Sequence, residues 1–284
     1  VWASTPALAQ QPQGGAVVGG SAAISEGAGR TDIHQSSDRA VITWERFSIG
    51  PDGSVQFHTP GGHALTVNRV VGAGGAIDPS VIAGHLASNG QLVLINPAGV
   101  LFQGGAQVDV AGLVATTHDV SNADAMAGNL NFSQPTADLD ASVIVESGAE
   151  ISIAEGGYAA LVAPTVQHDG VILAPLGRVA LASGDAFTVD PHGDGLISFA
   201  LPHAARAAGE DAPLVAASGR IEGRYVALTA QGLEQVVEGV GRRAGEVRAD
   251  QIEITGDVVR LFAGGADGSV AVSGDIDASE SVSI

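Results

Sequence analysis

The run Leu92-Val93-Leu94-Ile95-Asn96-Pro97-Ala98-Gly99-Val100-Leu101-Phe102 constrains this chain more than any other segment. Two apolar, strand-like pieces are joined by a four-residue turn. Asn suits its first position, Pro fixes φ at the second, and Gly suits the fourth. A second turn, Gln103-Gly104-Gly105, leads into the alternating strand Ala106-Gln107-Val108-Asp109-Val110. Strand, tight turn and strand recur in this manner along most of the sequence, which is how a solenoid of short β-strands is written.

Strands of about 4–6 residues are expected at 55–58, 65–68, 91–95, 108–110, 112–115, 143–145, 151–153, 158–162, 170–173, 178–181, 196–199, 225–229, 252–254, 258–262 and 270–272. The second half carries an internal repeat. Tyr158-Ala159-Ala160-Leu161-Val162, Arg178-Val179-Ala180-Leu181-Ala182 and Tyr225-Val226-Ala227-Leu228-Thr229 are variants of one strand. Gly170-Val171-Ile172-Leu173-Ala174, Gly219-Arg220-Ile221-Glu222-Gly223 and Gly274-Asp275-Ile276-Asp277-Ala278 are variants of another. Where the repeat is clearest its period is roughly 20–22 residues, one coil of a parallel β-helix, and longer intervals read as loop insertions. In such a stack small aliphatic side chains lie over their equivalents in the next coil, and Gly marks the corners.

Composition agrees. With 40 Gly in 284 residues and aromatics at 4%, the chain has many turns and no need of a large aromatic core. All its basic residues are Arg, and no run spaces Leu, Glu and Lys as a long amphipathic helix requires. The formal charge of −19 repels phosphate backbones, so nucleic acid is not an expected partner. The absence of Cys excludes disulfides and thiolate chemistry. No stretch of about 18 apolar residues is present, so no membrane insertion is expected. Thr5-Pro6-Ala7-Leu8-Ala9-Gln10 has the small-x-small ending of a secretory cleavage site. Residues 1–9 are therefore expected to be the remnant of a signal peptide, with a mature chain from about Gln10.

Two segments stand apart from the regular coils. His34-Gln35-Ser36-Ser37-Asp38-Arg39-Ala40-Val41-Ile42-Thr43-Trp44 looks like a polar turn feeding a strand with a buried Trp. It is expected in a cap that hides the first open edge of the solenoid. Val120 to Thr136, rich in Ser, Asn, Asp and Ala, is expected as an excursion out of the stack.

These segments together resemble the N-terminal secretion domain of two-partner secretion proteins, the filamentous-haemagglutinin-like adhesins and toxins of Gram-negative bacteria. The resemblance runs in order through Pro12-Gln13-Gly14-Gly15, Ile33 to Gly50, Val67-Asn68-Arg69-Val70, Gly90 to Phe102 and Val110 to Thr117, covering about residues 12–200. The family turn reads Asn-Pro-Asn-Gly. Here Ala98 replaces the second Asn, a change the backbone tolerates but which removes that side chain's contact. A second Asn-Pro-Asn-type motif of some members is not evident.

The resemblance implies an all-β, right-handed parallel β-helix with an N-terminal cap and short extra-helical β elements. It would form a single domain over 10–284, with cap and motif-bearing coils to about 135, regular coils from 136 and a truncated C-terminus. It also implies export through the periplasm, passage through an outer-membrane β-barrel transporter, and folding at the cell surface as a template for later coils. Adhesion through a surface receptor would belong to the full-length protein, and the domain is expected to be a monomer.

Asn96, Pro97, Ala98 and Gly99 are read both as a structural turn and as a secretion motif touching the transporter; the two readings are compatible. Gln35, Ser36, Trp44, Asn68 and Arg69 are candidate cap or secretion determinants. Asp185, Asp190, His192 and Asp194 could bind Ca²⁺ or serve as acid and base, but Asp190-Pro191-His192-Gly193-Asp194-Gly195 equally reads as a polar loop. Asp267-Gly268 and Arg242-Arg243 read as turn and loop. The eight His are scattered, with no His-Glu-x-x-His, Gly-x-Ser-x-Gly or phosphate-binding loop. No enzyme activity, cofactor or metal is therefore expected. The alternative is a secreted β-helical polysaccharide lyase or glycosidase, which would need carboxylates and a cation on one outward sheet over adjacent coils. The acids are expected mostly in turns.

Overall fold

The computed structural model describes residues 11–134, 136, 138, 140–184, 186–189, 197–200, 214–230, 246–263 and 269–284. The chain winds as a parallel β-helix in which each strand hydrogen-bonds to its equivalent one coil away. On one face Val55, Leu86, Val108, Ile151, Ile172, Ile221, Ile254 and Ile276 pair in unbroken register. This column is the repeat seen in the sequence, with the coil at Ile254 inserted between Ile221 and Ile276. The second repeat registers as Ala159, Val179, Val226 and Val259. A third face runs from Ser80–Ile82 through Val100–Phe102, Ser142–Val145, Thr165–His168 and Val215–Ala217.

Side chains alternate along each strand, so every second residue enters a shared shaft. Ile33, Phe57, Phe102, Val143, Ile151 and Leu161 are among those with no exposed surface. The face holding Leu92 to Ile95 is buried on both sides. Leu92 and Leu94 enter the shaft, while Val93 and Ile95 join an outer apolar cluster with Val114, Val162, Leu130, Phe132 and Phe187. A strand buried on both faces reads as a continuous apolar run, which accounts for this segment.

The outer cluster exists because two insertions fold over it. Val120 to Thr136 leaves the stack as expected, forming the helix Asn122–Ala127 and the strand Leu130–Phe132. Ser121 caps that helix, accepting from the Asp124 amide at 3.0 Å, and Gly128 ends it at φ 84°. Leu130–Phe132 pairs antiparallel with Ala186–Val189, which pairs with Ile197–Ala200. Phe132 and Phe187 stack at 4.4 Å.

The cap is made differently from the expectation. His34 to Trp44 is not a cap but part of the first coil, since Arg30–Gln35 and Arg39–Trp44 pair in parallel with Ser54–His58 and Leu65–Val70. The edge above is closed by Ala22–Gly27 and Ala16–Gly19, both antiparallel to that coil. A chain entering the stack can double back through a tight turn, so the covering strand comes from a local hairpin, with Gly29 at φ 72°. Among the described residues no helix is long and apolar enough to cross a membrane.

Because Ile172 is fully buried between Ile151 and Ile221, Ile172→Ala should cost about 2–5 kcal/mol in chemical denaturation. A cost below about 1 kcal/mol would mean that the column is not packed as described.

Candidate functional site

Asn96 stands at the corner where the His85–Ile95 strand turns into Val100–Phe102. The turn closes by the Gly99 amide donating to the Asn96 carbonyl at 2.9 Å, and the Ala98 amide donates to Asn96 Oδ1 at 2.9 Å. This is the turn read from the sequence, completed by an Asx bond. Asn96 is wholly buried, yet its amide is satisfied: Nδ2 donates to the Asp78 carbonyl and to Ser80 Oγ, both at 2.9 Å. Asp78 and Ser80 belong to the coil above. On the other side, the Asn96 amide donates to the Thr116 carbonyl at 3.0 Å and Thr136 Oγ1 donates to the Pro97 carbonyl at 2.8 Å. Gly99 is required at φ 111°, and a Cβ there would lie 2.8 Å from the Ser142 carbonyl oxygen. The motif is thus a wedge bonded to the coils on both sides, and Ala98 is its half-buried outer residue.

A second polar knot occupies the top of the shaft. Register places Thr66 between Ala40 and Leu92, and Asn68 between Ile42 and Leu94, so both hold positions that are aliphatic in every later coil described. Trp44 Nε1 donates to Asn68 Oδ1 at 3.0 Å, and Thr66 Oγ1 donates to Gln35 Oε1 at 2.6 Å. Gln35 Nε2 in turn donates to the carbonyls of Ser37 at 2.7 Å and Leu65 at 3.3 Å. Buried polar groups are tolerated when satisfied, and here they fix how the first two coils dock. Asn68 Nδ2 donates to the Thr66 carbonyl at 3.5 Å, which joins Gln35, Trp44 and Asn68 through Thr66 in one network. Ser36 lies outside it, tying the first coil to the cap through Ser21 Oγ at 3.0 Å.

Arg69 faces outward and grips the start of the excursion. Its guanidinium donates to Asp119 Oδ1 at 2.7 Å, Asn122 Oδ1 at 2.6 Å and the Val120 carbonyl. Arg69 therefore anchors the excursion rather than the cap.

Several groups gave no sequence signal of their role. Thr66 alternates with Leu65 and Val67 like any strand threonine. His118 and His168 are buried, which lowers the pKa of each to about 4. His118 packs edge-on against Phe187 at 6.0 Å, beneath the excursion. His168 lies in the shaft between Val145 and Ala217; its Nε2 is 3.3 Å from the Arg220 carbonyl and its Nδ1 has no partner among the described residues. Asp32, His34 and His58 also converge, because His34 and His58 are one coil apart and in register. Asp185, Asp190, His192 and Asp194, like residues 1–9, Arg242-Arg243 and Asp267-Gly268, lie outside the described residues.

One expectation is corrected. Asp32, Asp109, Glu150, Glu222, Glu253, Asp275 and Asp277 stand on strands of one outward face, not in turns. Coil-to-coil register gathers positions far apart in sequence into rows. The rows are interrupted by Ala87, Val171, Leu173 and Thr255, and arginines engage Asp32 and Glu222. Glu253, Asp275 and Asp277 are exposed to the water that a lyase site would exclude.

Comparison with known proteins agrees with this geometry. A family model described as the TPS secretion domain matches residues 9–277. Two heme/hemopexin-binding proteins of Haemophilus influenzae are 38% identical over 138 residues and 35% identical over 181 residues. These alignments cover 48% and 62% of this chain but only 14% and 19% of those proteins. The HMW1 secretion domain of Haemophilus influenzae superposes with a TM-score of 0.64 at 25% identity, over 88% of this chain and 71% of that one. The filamentous hemagglutinin secretion domain shares the fold, with a TM-score of 0.60 at 17% identity, over 96% and 98%.

Asn96→Ala strips partners from the Asp78 carbonyl, Ser80 Oγ and the Ala98 amide. It should destabilise the domain by about 2–3 kcal/mol in urea unfolding. The two histidines make stability pH-dependent. Their folded pKa of about 4 lies below the ordinary imidazole value of 6.5, so the unfolded chain takes up protons first. Their contribution is complete above about pH 6.5 and is lost as pH falls toward 4, by up to about 3 kcal/mol for each group. Urea midpoints measured between pH 7 and 4 should fall, and His168→Leu should flatten part of that slope.

Proposed function

The chain belongs to the TPS secretion domain family, and on that footing we propose that it is a non-enzymatic export module. An outer-membrane β-barrel transporter recognises it after passage through the periplasm, and at the cell surface it folds first and templates the coils behind it. In this reading the full-length protein is a secreted or surface adhesin, and the domain acts as a monomer with no nucleic-acid partner.

The observation that carries the reading is the pattern of polar bonds at the top of the stack. A solenoid repeats one packing rule, and any coil could in principle start it. Here the first two coils hold Gln35, Thr66, Asn68 and Trp44 in one buried network, and Asn96 of the third coil locks onto the second through Asp78 and Ser80. Those coils carry more specific bonds than the aliphatic ladder below, which suits a nucleus that must form without a folded template. The antiparallel cap closes the upper edge. Growth from such a nucleus has one direction.

The same residues give a transporter something to read before folding. Asn96-Pro97-Ala98-Gly99 is a turn by local chemistry, so an unfolded chain already favours it. The Asx bond needs only three consecutive residues.

Export tests this directly. The chain is co-expressed with its cognate transporter, and the double variant Asn96→Ala, Pro97→Ala is compared with Ile172→Ala, which weakens the stack elsewhere. The double variant should remain in the periplasm, while Ile172→Ala should be secreted at more than half the parental amount. Equal secretion of the parent and the double variant would remove the motif from the mechanism.

A further inference from the structure

We propose that Asp32, His34 and His58 form a binding site for one first-row divalent metal ion of the Zn²⁺, Ni²⁺ or Cu²⁺ class, clipping the first coil to the second. The site does not depend on the export reading, and neither family membership nor the turn motif bears on it.

The geometry follows from strand alternation and register. On Arg30–Gln35 the residues Thr31, Ile33 and Gln35 face inward, leaving Asp32 and His34 side by side on the outer surface. His34 pairs with His58 on the next coil, and their rings stack with centroids 4.4 Å apart and planes 8° from parallel. His58 Nε2 lies 3.0 Å from Asp32 Oδ1. One donor atom from each of the three residues falls within 4.8 Å of the other two. Bonds of about 2.0–2.2 Å to nitrogen and carboxylate oxygen need the donors only somewhat closer than this. Both imidazoles are exposed, so they can tilt without disturbing the shaft.

The carboxylate is already prepared. Arg30 grips Asp32 with Nε on Oδ2 at 2.6 Å and a second nitrogen on Oδ1 at 2.7 Å. Arg30 on both oxygens and His58 on Oδ1 thus fix where the Asp32 carboxylate points. An outer hydrogen-bond partner that fixes the orientation of a ligating carboxylate is the arrangement metal sites use. A metal would take the place of the His58–Asp32 hydrogen bond, keeping the Arg30 fork behind it. Two imidazoles and one carboxylate are donors that suit borderline transition ions and not Ca²⁺ or Mg²⁺. The formal charge of −19 on the chain favours a cation near its surface despite Arg30.

The test uses the tag-free chain. Calorimetric titration with Zn²⁺ and Ni²⁺ should show one saturable site per chain. His34→Ala and His58→Ala should each weaken binding tenfold or more, and His63→Ala should leave it unchanged. Cu²⁺ electron paramagnetic resonance should report two imidazole nitrogens, a readout that a merely structural effect of the variants would not mimic. Absence of saturable binding at millimolar metal, or binding that survives His34→Ala and His58→Ala unaltered, would overturn the site.

Discussion

Hydrogen bonding of each strand to its equivalent one coil away is the constraint on which the rest of this molecule depends. Once that ladder is set, position along a strand decides everything else. Ile151, Ile172 and Ile221 stack because their backbones are paired, and their packing holds the pairing in turn. A slip of one residue would carry the whole column to the solvent side. Insertions cost little under this rule, because they leave at corners and return in register. The excursions after Thr116 and Ser183 use this freedom, and together they cover the face that holds Leu92 to Ile95.

The ends of such a ladder are its difficulty, since each exposes unpaired amides and carbonyls. At the upper end the chain solves this with a local hairpin and a change of chemistry. The two columns of the shaft that are aliphatic from Leu92 and Leu94 onward are polar at Thr66 and Asn68, and those groups find partners in Gln35 and Trp44. Buried polar bonds of this kind add little net stability but much specificity, because any other docking leaves them unpaired. A first coil that docks in one way only is what a stack growing from that end requires. Asn96 repeats the device one coil further on, where its amide reaches up to Asp78 and Ser80.

Much of this was legible in the sequence. The strand repeats around Tyr158, Arg178 and Tyr225 registered as read, because identical local patterns must occupy equivalent places in a stack. The turn at Asn96 was legible because its chemistry is local. Gln35, Trp44 and Asn68 stand out in the sequence, but Thr66, which links Gln35 to the other two, does not. What stayed hidden depends on register across insertions. Thr66 and His168 look like ordinary polar strand residues until pairing places them in the shaft. The separation of His34 from His58 acquires meaning only once it is known to be one coil. The acids of the outward face were misplaced for the same reason. His34 to Trp44 reads as a cap because a polar turn feeds its strand, and only strand direction shows it to be the first coil.

Native-state hydrogen exchange tests the central claim most directly, since it reads the coil-to-coil ladder amide by amide. Amides of 91–95 and 112–116, which sit between paired coils under the polar knot, should be the most protected and should open together at the global unfolding free energy. Protection should decline toward Ser269–Ser283, which among the described residues pairs only with Glu246–Ala263. Protection that is highest at Ser269–Ser283 and lowest around the Gln35, Trp44 and Asn68 network would contradict a stack anchored at its first coils.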